Sequence, residues 1–229
     1  MKSKDSVIGS VITTDKVRPK QVEHEGEVLL EMVYTVSDKS GKIKTQKTEL
    51  GHSFLQNFII ALFGFFARYH CPDDDLVDTG GTSRTGSSSY STSSLAYSDE
   101  VFDCNAPSTN DDYGILIGTD DTAVDIADYA LGAKIIEGSG SGQMNYGSHS
   151  TVSPVSDVGN TYSYAGITRT ISNNSGASIT VKEVGLVWSS YWDTSATRYF
   201  LLLREVLGSP ISVADGEILT VTIRVKCFC

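Results

Sequence analysis

The clearest alternation of apolar and polar positions closes the chain. In Leu219-Thr-Val-Thr-Ile-Arg-Val-Lys-Cys227, the residues Leu219, Val221, Ile223, Val225 and Cys227 share one face, and Thr220, Thr222, Arg224 and Lys226 share the other. That period of two marks a half-buried antiparallel strand. Upstream, Thr161–Ile171, Ile179–Trp188 and Tyr199–Val206 read as further strands, with Gly166 at an expected bulge. The turn cluster Ser172-Asn-Asn-Ser-Gly176 and the pair Asp215-Gly216 separate them. The sequon in Asn173-Asn174-Ser175 reads as part of that turn. Near the start, Ser6–Val17 is β-prone. Val28–Val36 reads as a strand covered on both faces, and Lys42–Leu50 returns as a Lys/Thr-rich partner suited to a charged sheet edge. Gly114–Thr119 is a short apolar strand, and a helical turn started by Asp125 or Asp128 is expected after it, with Tyr129 and Leu131 facing inward. Residues 143–160 read as loop plus a short strand.

Only one stretch switches to helical period. In Ser53–Arg68, Phe54, Leu55, Phe58, Ile59, Leu62, Phe63 and Phe66 recur at helical spacing, and Ile60 and Phe65 fill other faces. Ser53 with Gln56 forms a candidate capping box. A helix with so little polar surface needs cover on more than one side. Its apolar run, Phe58–Ala67, is half of the roughly 20 residues a membrane span requires. The expectation is a buried core helix and no membrane span.

Short strands, frequent turns and one apolar helix predict a mainly β fold, an antiparallel β-sandwich or small barrel with one buried α-helix at about 53–68. At 229 residues a single domain accounts for the chain, with an N-terminal arm (1–26) and an acidic, Ser-rich loop insertion (71–112). Within that insertion, 15 of the 20 residues from Thr79 to Ser98 are Gly, Ser or Thr, too few apolar groups to order the tract alone.

The net charge of −10 is concentrated: residues 71–133 hold 13 acids against one base, Arg84. Such a surface repels phosphate backbones, so no direct nucleic-acid binding is expected. The N-terminus, Met-Lys-Ser-Lys-Asp-Ser-Val, lacks the apolar core of a signal peptide, which implies synthesis in the cytoplasm.

Candidate chemistry is sparse. His24, His52, His70 and His149 sit on connectors or element ends, outside any nucleophile motif, and no phosphate-cradling glycine loop occurs. No catalytic residue or cofactor is assigned, and an enzyme is not expected. Asp120, Asp121, Asp125 and Asp128 offer oxygen ligands for calcium without EF-hand spacing; turn capping is the competing reading. Cys71, Cys104, Cys227 and Cys229 read as reduced thiols, with a disulfide (Cys71–Cys104 at the base of the acidic loop) or a zinc site as alternatives. Tyr162, Tyr164, Trp188, Tyr191 and Trp192 are candidate ligand-stacking rings, or core.

A series of segments in the second half resembles structural proteins of tailed bacteriophages. They are Gly114-Ile-Leu-Ile-Gly-Thr, Thr122-Ala-Val with Asp128-Tyr-Ala-Leu, Gly142-Gln-Met-Asn-Tyr, Arg169-Thr-Ile-Ser-Asn-Asn-Ser-Gly and Ile179-Thr-Val-Lys-Glu-Val-Gly-Leu. Leu202-Leu-Arg-Glu-Val-Leu and Pro210-Ile-Ser-Val-Ala-Asp-Gly-Glu-Ile-Leu-Thr-Val continue the series, and Ser53-Phe-Leu-Gln-Asn-Phe joins it from the helix. The resemblance covers about half the chain. It implies a non-enzymatic, self-assembling component of a virion, of tail, neck or head-accessory type, with copies of itself and other virion proteins as partners. The alternative is a receptor- or carbohydrate-recognising fibre or adhesin domain.

Overall fold

Two antiparallel sheets face each other across one apolar core. The computed structural model describes residues 28–51, 53–67, 76–84, 103–157, 162–192 and 196–228. The larger sheet holds β1 (Val28–Ser37), β2 (Ile43–Gly51), β6 (Asn145–Asp157), β7 (Tyr162–Ser172) and β10 (Ile218–Phe228), in the order β2-β1-β10-β7-β6. The smaller holds β5 (Gly114–Gly118), β8 (Ile179–Trp192) and β9 (Ala196–Val213), in the order β5-β8-β9. A two-stranded ribbon, β3 (Leu76–Val77) with β4 (Ser83–Arg84), and one helix, α1 (Gln56–Ala67), complete the described elements. The chain is mainly β, a sandwich rather than a closed barrel.

Alternation decides what enters the core. Leu30, Met32, Tyr34 and Val36 of β1 and Leu219, Val221 and Ile223 of β10 point inward together, because β1 and β10 pair in register from Val28↔Cys227 to Ser37↔Ile218. They meet Ile115, Ile117, Val181, Val184, Leu201 and Leu203 of the smaller sheet. The inward rows run past the core: Val28, Val225 and Cys227 remain exposed at one end. In β9, Phe200 and Leu202 turn to the other face, where they join Trp188, Leu76 and Ala61 in a second cluster beneath α1. The smaller sheet is therefore covered on both faces.

The helix covers that outer face and does not fill the centre. Asn57 and Ala61 are buried, while Ile59 is 57% exposed. It also starts later than the capping box suggests. Ser53–Leu55 lie along β9 instead, with a bridge Phe54↔Leu203 and a bond from the Leu55 amide to the Leu202 carbonyl at 3.0 Å. Asn57 fastens the helix: its side chain donates to the Val77 and Leu201 carbonyls and accepts from the Val77 amide.

Other boundaries shift for similar reasons. Residues 120–131 form turns rather than a helical turn, with Tyr129 exposed and Leu131 packed against the core. β6 extends over 13 residues, and its irregularities lie between Tyr146/His149 and Val152/Val155. Gly166 is not a bulge; it pairs regularly with Arg224, and a Cβ there would sit 2.4 Å from the Ile223 carbonyl oxygen. Ser6–Val17, Cys71, Cys229 and residues 85–102 of the Ser-rich tract lie outside the described residues.

Candidate functional site

The acidic stretch after β5 folds around a buried cation. Arg204 projects from the outer face of β9 and is almost fully buried. Its Nε donates to Glu183 Oε2 at 2.8 Å, Nη1 to Asp128 Oδ2 at 2.9 Å and Nη2 to Asp120 Oδ2 at 2.7 Å. Glu183, on the neighbouring β8, is fully buried and accepts from the Gly132 and Ala133 amides. Burial pulls the Arg204 guanidinium down, but the bonds to Glu183 and Asp128 outweigh it and hold the group above its ordinary value. Two glycines make room: a Cβ on Gly118 would lie 2.2 Å from Glu183 Oε1, and one on Gly132 would lie 2.2 Å from Asp120 Oδ2.

This geometry redistributes the four proposed calcium ligands. Asp120 and Asp128 face the guanidinium, Asp121 pairs with Lys182 at 2.7 Å, and Asp125 accepts from the Ala127 amide within its own turn. A side-chain cation occupies the point on which two of them converge. Among the described residues, no group of three or more His, Cys, Asp or Glu side chains is arranged to hold a metal ion.

A second arginine works without any acid. Arg169 of β7 is 0% exposed and lies between the sheets. All its donors end on backbone carbonyls: Nε on Gly147 at 2.8 Å, Nη1 on Tyr113 and Ile115, Nη2 on Pro107 and Asn110. The Tyr146 ring lies below, 4.6 Å from the guanidinium carbon. Burial pulls this guanidinium down to about 10. The bonds clamp the turn 107–110, in which Thr109 holds φ +64, a conformation β-branched residues rarely adopt. Beside it, His149 Nε2 accepts from the Ile115 amide at 2.8 Å, and Nδ1 lies 3.0 Å from the Ala106 carbonyl. Those partners require a neutral ring protonated at Nδ1, and burial lowers its pKa to about 4.

The remaining candidates do not converge. Cys104 is partly exposed with its thiol pushed up to about 12 by burial, Cys227 is exposed, and both are free; no pair forms among the described residues. The five aromatic rings do not make one platform. Trp188 is 2% exposed and packs on Phe200 with centroids 5.3 Å apart, beneath the helix. Tyr162 and Tyr164 lie on the opposite side of the molecule, on the outer face of the larger sheet near Phe228. There Lys226 Nζ sits 3.8 Å above the Tyr162 ring and already occupies one stacking face. The side chains of Tyr191 and Trp192 lie outside the described residues.

A cavity lies beside the β2 edge. β9 bows away from β8 between Val206 and Ile211, because only Lys182 lies opposite that span. The bow leaves a cavity of about 330 Å³ beside the β2 edge, floored by Tyr34, Val36 and Ile211 and rimmed by Thr45, Lys47 and Ser209. Lys47 Nζ spans the rim to the Ser209 carbonyl at 3.3 Å. β2 is an edge strand, with β1 on one side and no described strand on the other.

Neither Arg204 nor Arg169 stands out in the sequence: Arg169 is the one base of β7, and Arg204 shares β9 with Arg198. The only local hints are the glycines at 118 and 132 and the acids clustered between them. Comparison of the chain with protein-family models, with curated proteins and with solved structures gave no match.

Proposed function

We propose that this chain is a non-enzymatic structural protein that self-associates as a component of a viral particle, of tail, neck or head-accessory type. One contrast carries the reading. The buried ionisable groups Arg169, Arg204, Glu183 and His149 are each committed to holding a loop onto the sandwich. On the larger sheet, meanwhile, Tyr162, Tyr164 and Phe228 stay partly exposed on the outer face, and no described strand pairs with the outer edge of β2. Buried charge spent on architecture and sheet surface left accessible suit a building block. The resemblance of segments such as Gly114–Thr119 and Arg169–Gly176 to tailed-phage structural proteins directs the proposal to a virion. Among the described residues, no helix is long and apolar enough to cross a membrane.

A recognition module is the second reading, favoured by Tyr162, Tyr164 and Phe228 on the open face. Light scattering across a concentration series, with negative-stain images of the same samples, separates the two. A fixed oligomer, ring or tube supports the building block. A monomer at every concentration removes self-assembly and leaves recognition to be tested with glycans.

A further inference from the structure

Separate parts of the chain converge on a second cavity, of about 180 Å³, beside the acidic segment. Its floor is apolar: Leu116 of β5, Val187 of β8, and Leu131, which packs so closely that a Cβ on Gly185 would lie 2.8 Å from Leu131 Cδ2. Its rim is polar, formed by Thr79, Asp112, Lys134 and Tyr199. The protein's own bonds already fix that rim. Asp78 accepts from the Gly80 and Thr82 amides, and the Thr79 amide donates to the Tyr199 carbonyl at 2.9 Å. Tyr199 stacks on Tyr113 with centroids 6.0 Å apart, and its hydroxyl donates to Asp112. Lys134 Nζ donates to the Asp111 carbonyl at 2.7 Å. A preformed apolar floor under a few placed polar groups is the usual build of a small-molecule site.

The rim groups and their charge narrow the ligand. A carboxylate offers about four acceptor sites and an ammonium three donors, so Asp112 and Lys134 keep capacity beyond the bonds they make. Asp111 Oδ1 lies 3.6 Å from Lys134 Nζ and balances it, which leaves Asp112 to make the rim net negative and unfavourable to an anion. The cavity is smaller than the roughly 300–1,000 Å³ of drug-sized sites, which limits the ligand to about one ring. Hydroxyls around an apolar C–H face meet those demands together. We propose that this cavity binds one neutral pyranose ring, with the C–H face on Leu116 and Val187 and the hydroxyls on Asp112, Lys134 and Thr79. The proposal rests on the recognition reading, not on self-association, and moves that recognition away from Tyr162, Tyr164 and Phe228.

Saturation-transfer NMR on the full chain tests this with glucose, galactose, mannose and N-acetylglucosamine. At least one of them is expected to bind with a Kd on the order of 1 mM, as suits so small a ligand. Two variants probe the place. Asp112→Ala removes an acceptor from an exposed rim position, and Ala130→Phe fills the cavity from a partly exposed one that lines it. Each is expected to weaken binding about tenfold or more at an unchanged melting temperature. Sialic acid, an anionic sugar, is expected to give no transfer. A sugar that binds both variants as tightly as the parent keeps the recognition reading and overturns this cavity as its site. Sialic acid binding as well as the neutral sugars overturns the ligand class. No transfer to any of the four neutral sugars overturns the cavity and the recognition reading together.

Discussion

Arg169 and Arg204 are the same side chain buried in two different ways. Arg169 sits between the sheets and gives its hydrogen bonds to five carbonyls from Pro107, Asn110, Tyr113, Ile115 and Gly147, with an aromatic ring below. Arg204 sits on the outer face of the smaller sheet and meets three carboxylates. The first donates only to carbonyls, and burial lowers its pKa to about 10 although Glu137 and Asp111 nearby oppose the fall; the second is surrounded by opposite charge, and its pKa rises. One clamp gathers carbonyls from the 107–110 turn, from Tyr113 and Ile115 at the start of β5 and from the irregular part of β6, while the other gathers acids that would otherwise repel one another. Planar geometry matters most to the first, and charge matters most to the second.

The largest expected effect is at the carboxylate cluster. Arg204→Met leaves Glu183 buried with only the Gly132 and Ala133 amides, and Asp120 and Asp128 facing it. Removing one partner of a buried ionic cluster costs about 3–5 kcal/mol, read as a lower urea midpoint at unchanged slope. A loss below about 1 kcal/mol would mean that the acidic segment is held by something other than this arginine.

The carbonyl clamp has its own signature in pH, through His149. The folded ring protonates near pH 4, the unfolded one near its ordinary 6.5. Between those values the unfolded chain binds more protons, so stability is complete above about pH 6.5 and falls as the pH drops toward 4. The total at 1.36 kcal/mol per pH unit is about 3 kcal/mol. His149→Gln keeps a donor and an acceptor but does not titrate. Unfolding free energies across pH 4–7 should slope for the parent and flatten for the variant; equal slopes would show that His149 is not the group responsible.

The finest comparison exchanges both arginines for lysine. A lysine has three donors, so Arg169→Lys strands at least two of five carbonyls, whereas Arg204→Lys keeps a cation among the acids. The expected penalty is greater at 169 by about 1–3 kcal/mol. Equal losses in parallel urea titrations would erase the distinction between a geometric and an electrostatic clamp.

Much of the fold is legible in the sequence where side-chain period reports burial directly. β10 is found as Ile218–Phe228 against an expected Leu219–Cys227, β1 lies where alternation places it, and β2 is found as Ile43–Gly51 against the Lys/Thr-rich return strand expected over Lys42–Leu50. The helix is legible as an element but not in its seat. Its apolar surface calls for cover without saying that it lies over the smaller sheet, and Ser53–Leu55 add to the edge of β9 rather than capping it. The acids at 120–128 are plain in the sequence, and so is their suitability for a cation. What the sequence leaves open is which cation, because Arg204 lies more than 70 residues away.

The mainly β class is legible along the chain: strands from a period of two, turns from Gly, Asn and Asp, one helix from a period near 3.6, and the placement of negative charge. Those are properties of neighbouring residues, and local sterics and burial are enough to specify them. The burial of Arg169 and Arg204, the neutral state of His149, the placement of Trp188 and Tyr162 on opposite sides and the cavity beside the β2 edge arise only in the packed fold. Each depends on residues far apart in sequence meeting in three dimensions, where desolvation makes a single polar pairing strong enough to hold a loop.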